Sequence, residues 1–138
     1  VAFIALEGLS ALKGDPEALL RRAAAAYGSS VARMRSIVAE IHELQRRRTP
    51  TPARKVWCLG DLVWSLNAEM AKLSLQVDGL YEHLVRDLGV KRKWLEKVVI
   101  LRRYIPREAL IPKDLNWGRC EKGTRKAAER IRDGLPLG

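Results

Sequence analysis

Three features of the sequence predict an all-α protein. Ala, Leu, Arg, Glu and Lys dominate, and all five are strong helix formers. Apolar residues recur at spacings of three and four along most of the chain. No Asn-Gly or Asp-Gly hairpin sits between alternating runs. With 138 residues, 47% of them hydrophobic, the chain has enough apolar material for one ordinary core, or for a small domain carrying a helical arm.

The elements follow in order. Val1 to Leu12 is apolar and reads as a short helix closed by Gly14. It has neither a basic leader nor a small-residue cleavage site, so it does not read as a signal peptide. Asp15 can cap a second helix, with Pro16 in its first position and Glu17 at its positive end. That helix is expected to stop at Gly28. Ser29 and Ser30 then cap a longer one reaching about Arg48. The longer helix carries Val31, Met34, Val38, Ile41 and Gln45 as a seam, widened by Ile37 and Leu44. A core-facing helix is preferred to a coiled coil here, because two heptads are too few to specify one. Thr49-Pro50-Thr51-Pro52 forbids helix and favours an extended linker. The chain is therefore divided into a helical arm at 1–48 that mediates self-association, a linker at 49–55 and a basic domain at 56–138.

Beyond the linker, Val56, Leu59, Leu62, Val63, Leu66 and Met70 predict a helix from about Arg54 to Leu75, with Gly60 as its flaw. Asp78 can cap the next helix, from about Gly79 to Leu88. A further helix is expected from Lys91 to about Tyr104. The run Val98-Val99-Ile100-Leu101 inside it has strand propensity. Pro106 and Pro112 bracket a short element, Asn116-Trp117-Gly118 breaks the chain, and a last helix ends at Gly134 with Ala127, Ala128 and Ile131 facing inward.

Charge points towards function. There are 26 Lys+Arg against 16 Asp+Glu, a formal charge of +10. Such a chain repels itself unless it meets an anion, so nucleic acid is the first partner to consider and an acidic membrane surface the second. No apolar run approaches the length of a membrane-spanning helix. Cys58 and Cys120 make no disulfide framework, and with His42 and His83 they make no zinc spacing. A reducing, cytoplasmic and nucleoid-associated location is expected. Two each of Asn, Gln, Cys and Met, beside abundant Arg and Glu, lean towards a thermophilic source.

The segment LVRDLGVKRKWLEKVVIL, Leu84 to Leu101, carries the functional reading. Gly89 can take the left-handed conformation that ends one helix and turns the chain into the next. Leu84, Val85, Leu88, Val90, Leu95 and Val98 lie where two short crossing helices need a shared apolar core. This set resembles the helix-turn-helix family of DNA-binding proteins. Val85 departs from it, standing where the family usually has Ala, which implies either a wider crossing or a look-alike of the motif. The resemblance implies a recognition helix that enters the major groove near its start. Over Arg86 to Arg107, eight basic residues face only Asp87 and Glu96, a net of +6. Lys91, Arg92 and Lys93 lie at the helix start as nucleic-acid contacts; Arg92, Lys93 and Lys97 are assigned to the groove, and Arg102, Arg103 and Arg107 to the phosphate backbone. Arg102 fits poorly, because a helical wheel puts it on the core side. Arg125 and Lys126 of the last helix offer a second phosphate-contacting face.

Trp57-Cys58-Leu59-Gly60, a Leu-rich helix pair and Leu115-Asn116-Trp117 are also similar in order to the helical N-terminal domain of the YhcG family, where it precedes a nuclease. That resemblance spans about Val56 to Glu121. It implies a helical, nucleic-acid-associated domain and lends no catalytic activity.

An enzyme is not expected. The sequence has no Gly-rich phosphate loop, no HExxH and no GxSxG. The carboxylates are scattered, and the cysteines read as small buried apolar residues. No cofactor and no metal is expected. The leading function is a duplex-DNA-binding protein, acting as a regulator, in partition or in chromatin, and forming a homodimer through its arm, with half-sites about 34 Å apart. The alternatives are a subunit binding RNA or single-stranded DNA, with Trp94 and Trp117 as base-stacking candidates, and a non-enzymatic protein-interaction adaptor.

Overall fold

The computed structural model describes residues 4–6, 16–72, 75–77 and 80–137. Six α-helices form among them: α1 Pro16–Arg46, α2 Ala53–Lys72, α3 Leu80–Leu88, α4 Arg92–Tyr104, α5 Gly118–Glu121 and α6 Thr124–Arg132. The fold is all-α. Among the described residues the one sheet is a three-residue antiparallel pair, β1 Ile4–Leu6 with β2 Leu75–Val77, in the register Ile4 to Val77.

That pair corrects two expectations. Ile4–Leu6 is strand where a helix over Val1 to Leu12 was expected, and Leu75 belongs to β2 rather than to the end of α2. The caps expected from Asp15 and Asp78, and the stop at Gly14, lie outside the described residues.

The break expected at Gly28 does not form. α1 runs unbroken through Gly28, Ser29 and Ser30. Ala23, Tyr27, Val31, Met34, Val38 and Ile41 are all buried, and they keep helical spacing across the glycine. Burying Tyr27 and Val31 on either side outweighs the cost of about 1 kcal/mol for glycine in a helix interior. Gln45, expected on this seam, is exposed. The seam packs on α2 and α3 of the same chain, within the single core cluster that the later helices also build. The stripe is therefore core-facing, the reading preferred to a coiled coil from the sequence.

Thr49–Pro52 is a pinned corner rather than a free extended spacer. Arg48 takes a positive φ of 56° and Thr49 N donates to Leu44 O at 2.9 Å. Thr51 is buried, and its carbonyl accepts from Trp117 N at 2.7 Å. Ala53 N donates to Leu115 O at 2.9 Å. Arg54 Nε reaches Ile111 O at 2.7 Å, and Trp57 Nε1 reaches Ile105 O at 2.8 Å. The start of α2 thus satisfies the backbone of the irregular stretch from Ile105 to Trp117, which includes a 3₁₀ turn at Glu108–Leu110.

α4 is the central helix. Leu95, Val98, Val99 and Leu101 are buried, and the helix packs against α2, α6 and α3. Burial on three sides explains why the β-branched run is helical: tertiary contacts override a weak propensity. Gly60 is no flaw in α2 but the crossing point with α4. A Cβ there would sit 2.7 Å from Val98 O and 2.9 Å from Arg102 Cβ. Ala127, Ala128 and Ile131 face the core from α6, as their spacing predicts.

Two glycine substitutions in helices should therefore act in opposite directions. Gly60→Ala should destabilise the fold by about 1–3 kcal/mol, because the α4 backbone must move. Gly28→Ala, with nothing within 4 Å of the added methyl, should stabilise it by about 0.5–1 kcal/mol. Urea unfolding of both variants checks this. Equal effects would contradict the close approach at Gly60.

Candidate nucleic-acid interface

α3 and α4 meet across Gly89, whose φ is +66°. Gly89 N and Val90 N both donate to Val85 O, at 2.9 and 3.3 Å, so the turn closes off the end of α3. A side chain in this left-handed region costs about 1 kcal/mol or more, which explains glycine here. Leu84, Leu88, Leu95 and Val98 are buried around the turn, while Val85 and Val90 are half-buried. The bend and its small core match the sequence expectation.

α1 braces this turn. Tyr27 OH donates to Asp87 Oδ2 at 2.5 Å, and Arg35 Nε donates to the Asp87 carbonyl oxygen at 3.0 Å. That carbonyl lies in the last turn of α3, where it has no helical partner and the helix dipole favours a cation. The Tyr27 hydrogen bond, helped by Arg86 and Arg35, holds the Asp87 carboxyl below its usual range. Burial and the same carboxylate push the Tyr27 phenol up. Both shifts describe one arrangement, in which the phenol keeps its proton and the carboxylate stays ionised.

The outward arc of α4 carries Arg92, Lys93, Glu96 and Arg103, all exposed, with Lys97 and Ile100 half-buried at its side. The basic residues among them do not share one chemistry. Arg92 is held by two carboxylates, Glu82 on α3 and Glu96 at 3.0 Å on α4, and its guanidinium lies 5.8 Å from the Tyr81 ring. It staples α3 to α4. Arg102 is largely withdrawn from solvent, with its side chain 15% exposed. It pairs with Asp61 at 2.8 Å and lies between the rings of Trp57 and Trp64, at 5.2 and 4.8 Å. This placement, unlike that of a free surface arginine, leaves little of its guanidinium for the phosphate backbone to which the sequence assigned it. Arg125 pairs with Glu129 at 3.1 Å and covers the Tyr104 ring at 5.4 Å.

The other expected contacts remain uncommitted. Lys91, Lys93, Lys97, Arg103, Arg107 and Lys126 make no salt bridge with any carboxylate among the described residues. Three of them converge. Lys91, Lys93 and Lys97 line a cleft of about 520 Å³ between α1, the Gly89 turn and α5. Trp94 also lines it and is half-buried. The far walls come from His42 and Gln45 of α1 and Glu121 of α5. Reading the sequence alone missed these three. The one signal was a polar residue, Gln45, at a seam position. Trp117, a second stacking candidate, is 4% exposed and belongs to the core.

Neither cysteine is activated. Burial and the neighbouring Glu108 push the half-buried Cys58 thiol up to about 11, and burial raises that of Cys120 as well. Among the described residues no group of three or more His, Cys, Asp or Glu is placed to hold a metal ion. Nor, among those residues, is any helix long and apolar enough to cross a membrane.

No known protein family, curated protein or solved structure matches this chain.

The Asp87 pair sets a pH dependence. A carboxyl depressed in the fold contributes stability above its ordinary pKa of about 3.9, and that contribution is lost as pH falls through the folded value. Tyr27→Phe should cost about 1–2 kcal/mol at neutral pH. The gap from the unsubstituted protein should narrow below about pH 4. Urea unfolding at several pH values measures this, and a gap independent of pH would contradict the ionic character of the bond.

Proposed function

We propose that this chain binds nucleic acid, with duplex DNA lying along the outward arc of α4. One observation carries the reading: the lysines at the start of α4 have no carboxylate partner among the described residues, whereas Arg92 between them has two. An uncompensated cation cluster raises the local potential and attracts a polyanion. Phosphates can displace the condensed counterions around it, which gives sequence-independent affinity. The Gly89 bend supports the same reading, because it leaves the start of α4 prominent, as a helix must be to enter a groove. Arg103 and Arg107 continue the positive surface at the other end of the helix. Arg92 serves this surface as a strut. Its carboxylate partners fix the angle of α4 and offset its charge.

Duplex binding measured by fluorescence anisotropy over a range of salt tests this. Lys91→Ala, Lys93→Ala and Lys97→Ala should each weaken binding and reduce the log–log salt slope by about one. Arg102→Ala should instead lose about 1–2 kcal/mol of stability and leave the slope unchanged. An unchanged slope in all three lysine variants would remove α4 from the interface. Single-stranded binding equal to duplex binding would remove duplex DNA as the preferred ligand.

A further inference from the structure

We propose that the cleft beside α4 takes one unpaired nucleotide of a bound strand, its base against Trp94 and its phosphates on Lys91, Lys93 and Lys97. This rests on the nucleic-acid reading above and names a ligand that the outward arc of α4 does not. The cleft is concave where the arc is convex, so the two present different shapes to a polyanion. Its volume of about 520 Å³ falls in the range of about 300–1,000 Å³ that small-ligand clefts occupy. That space accommodates a base and its sugar, but not a duplex.

The chemistry of the walls is divided in the way a nucleotide is divided. Trp94 is half-buried, so part of its indole is supported by the core and part faces the cleft. An indole face stacks on any base, and it does so in basic grooves that carry single strands. Val38 and Ile41 supply apolar surface from α1. Gln45 has both a donor and an acceptor for a base edge. The three lysines are the cleft's positive side and have no carboxylate partner among the described residues. Glu121, on the α5 side, repels phosphate and accepts from an exocyclic amino group, as carboxylates do for cytosine N4. A nucleotide thus has one favourable polarity in the cleft, with phosphates towards α4 and the base edge towards α5. Lys91, Lys93 and Lys97 belong both to this cleft and to the start or side of α4, so a strand leaving a bound duplex there enters the cleft directly.

The test uses the full chain and a short duplex bearing a single-stranded cytidine extension. The reference is the same duplex with an abasic extension of equal length and charge. The base-bearing extension should bind roughly tenfold tighter and quench indole fluorescence. With 5-bromocytidine in the extension, irradiation should crosslink Trp94, read by mass spectrometry on the unsubstituted protein, where no folding question arises. Trp94→Phe should keep part of the preference, and Gln45→Ala should reduce it. A preference below about twofold overturns the proposal, as does a crosslink confined to residues outside the cleft. Salt-dependent duplex binding that survives such a result leaves the duplex reading standing, whereas no binding of either probe ends both. Saturation by free cytidine monophosphate at the concentrations that saturate the extended duplex also overturns it, because the cleft would then hold a small metabolite.

Discussion

The structure depends on one close approach. Gly60 brings α2 against α4 until a methyl group would fall 2.7 Å from the Val98 carbonyl oxygen. At that distance Leu95, Val98, Val99 and Leu101 reach full burial, and α4 becomes the helix around which α2, α3 and α6 arrange themselves. A helix packed on three sides has one free side. The narrow outward strip of α4 is thus a consequence of core packing, and its basic residues are displayed because nothing else remains to cover them.

The cations of this region divide into paired and unpaired. Arg92 binds Glu82 and Glu96, Arg102 binds Asp61 between two indoles, and Arg125 binds Glu129 over a tyrosine. Lys91, Lys93, Lys97, Arg103 and Arg107 have no carboxylate partner among the described residues. The side chains suit these roles. A planar guanidinium stacks on rings and pairs in fixed directions at modest desolvation cost, while an ammonium is a compact, strongly hydrated charge that is better left in water. The formal charge of +10 already subtracts these pairs, and what it does not convey is how the unpaired cations gather near the start of α4.

α1 ties these parts together. Tyr27 and Arg35 hold Asp87 at the end of α3, two residues before the left-handed turn. Further along the same helix, His42 and Gln45 wall the cleft that the turn opens. One helix thus fixes the orientation of the turn and completes the pocket beside it. A segment read from sequence as an association arm is in this structure part of the core and one wall of the cleft.

Composition and spacing determined the all-α class, the bend at Gly89, the inward faces of α4 and α6, and the list of basic residues around them. These are local properties, because helix periodicity and a glycine's access to positive φ are written into neighbouring residues. The continuity of α1 through Gly28, the pairing of β1 with β2, and the pinned corner at Thr49–Pro52 needed partners distant in the chain. The same holds for which cations are free. Arg102 and Lys97 are both basic residues on one helix, and only the position of Asp61, Trp57 and Trp64 on α2 makes the first a core strut while the second stays available. Tertiary structure alone decided that, since the fate of a charge depends on what the folded chain brings within a few ångströms of it.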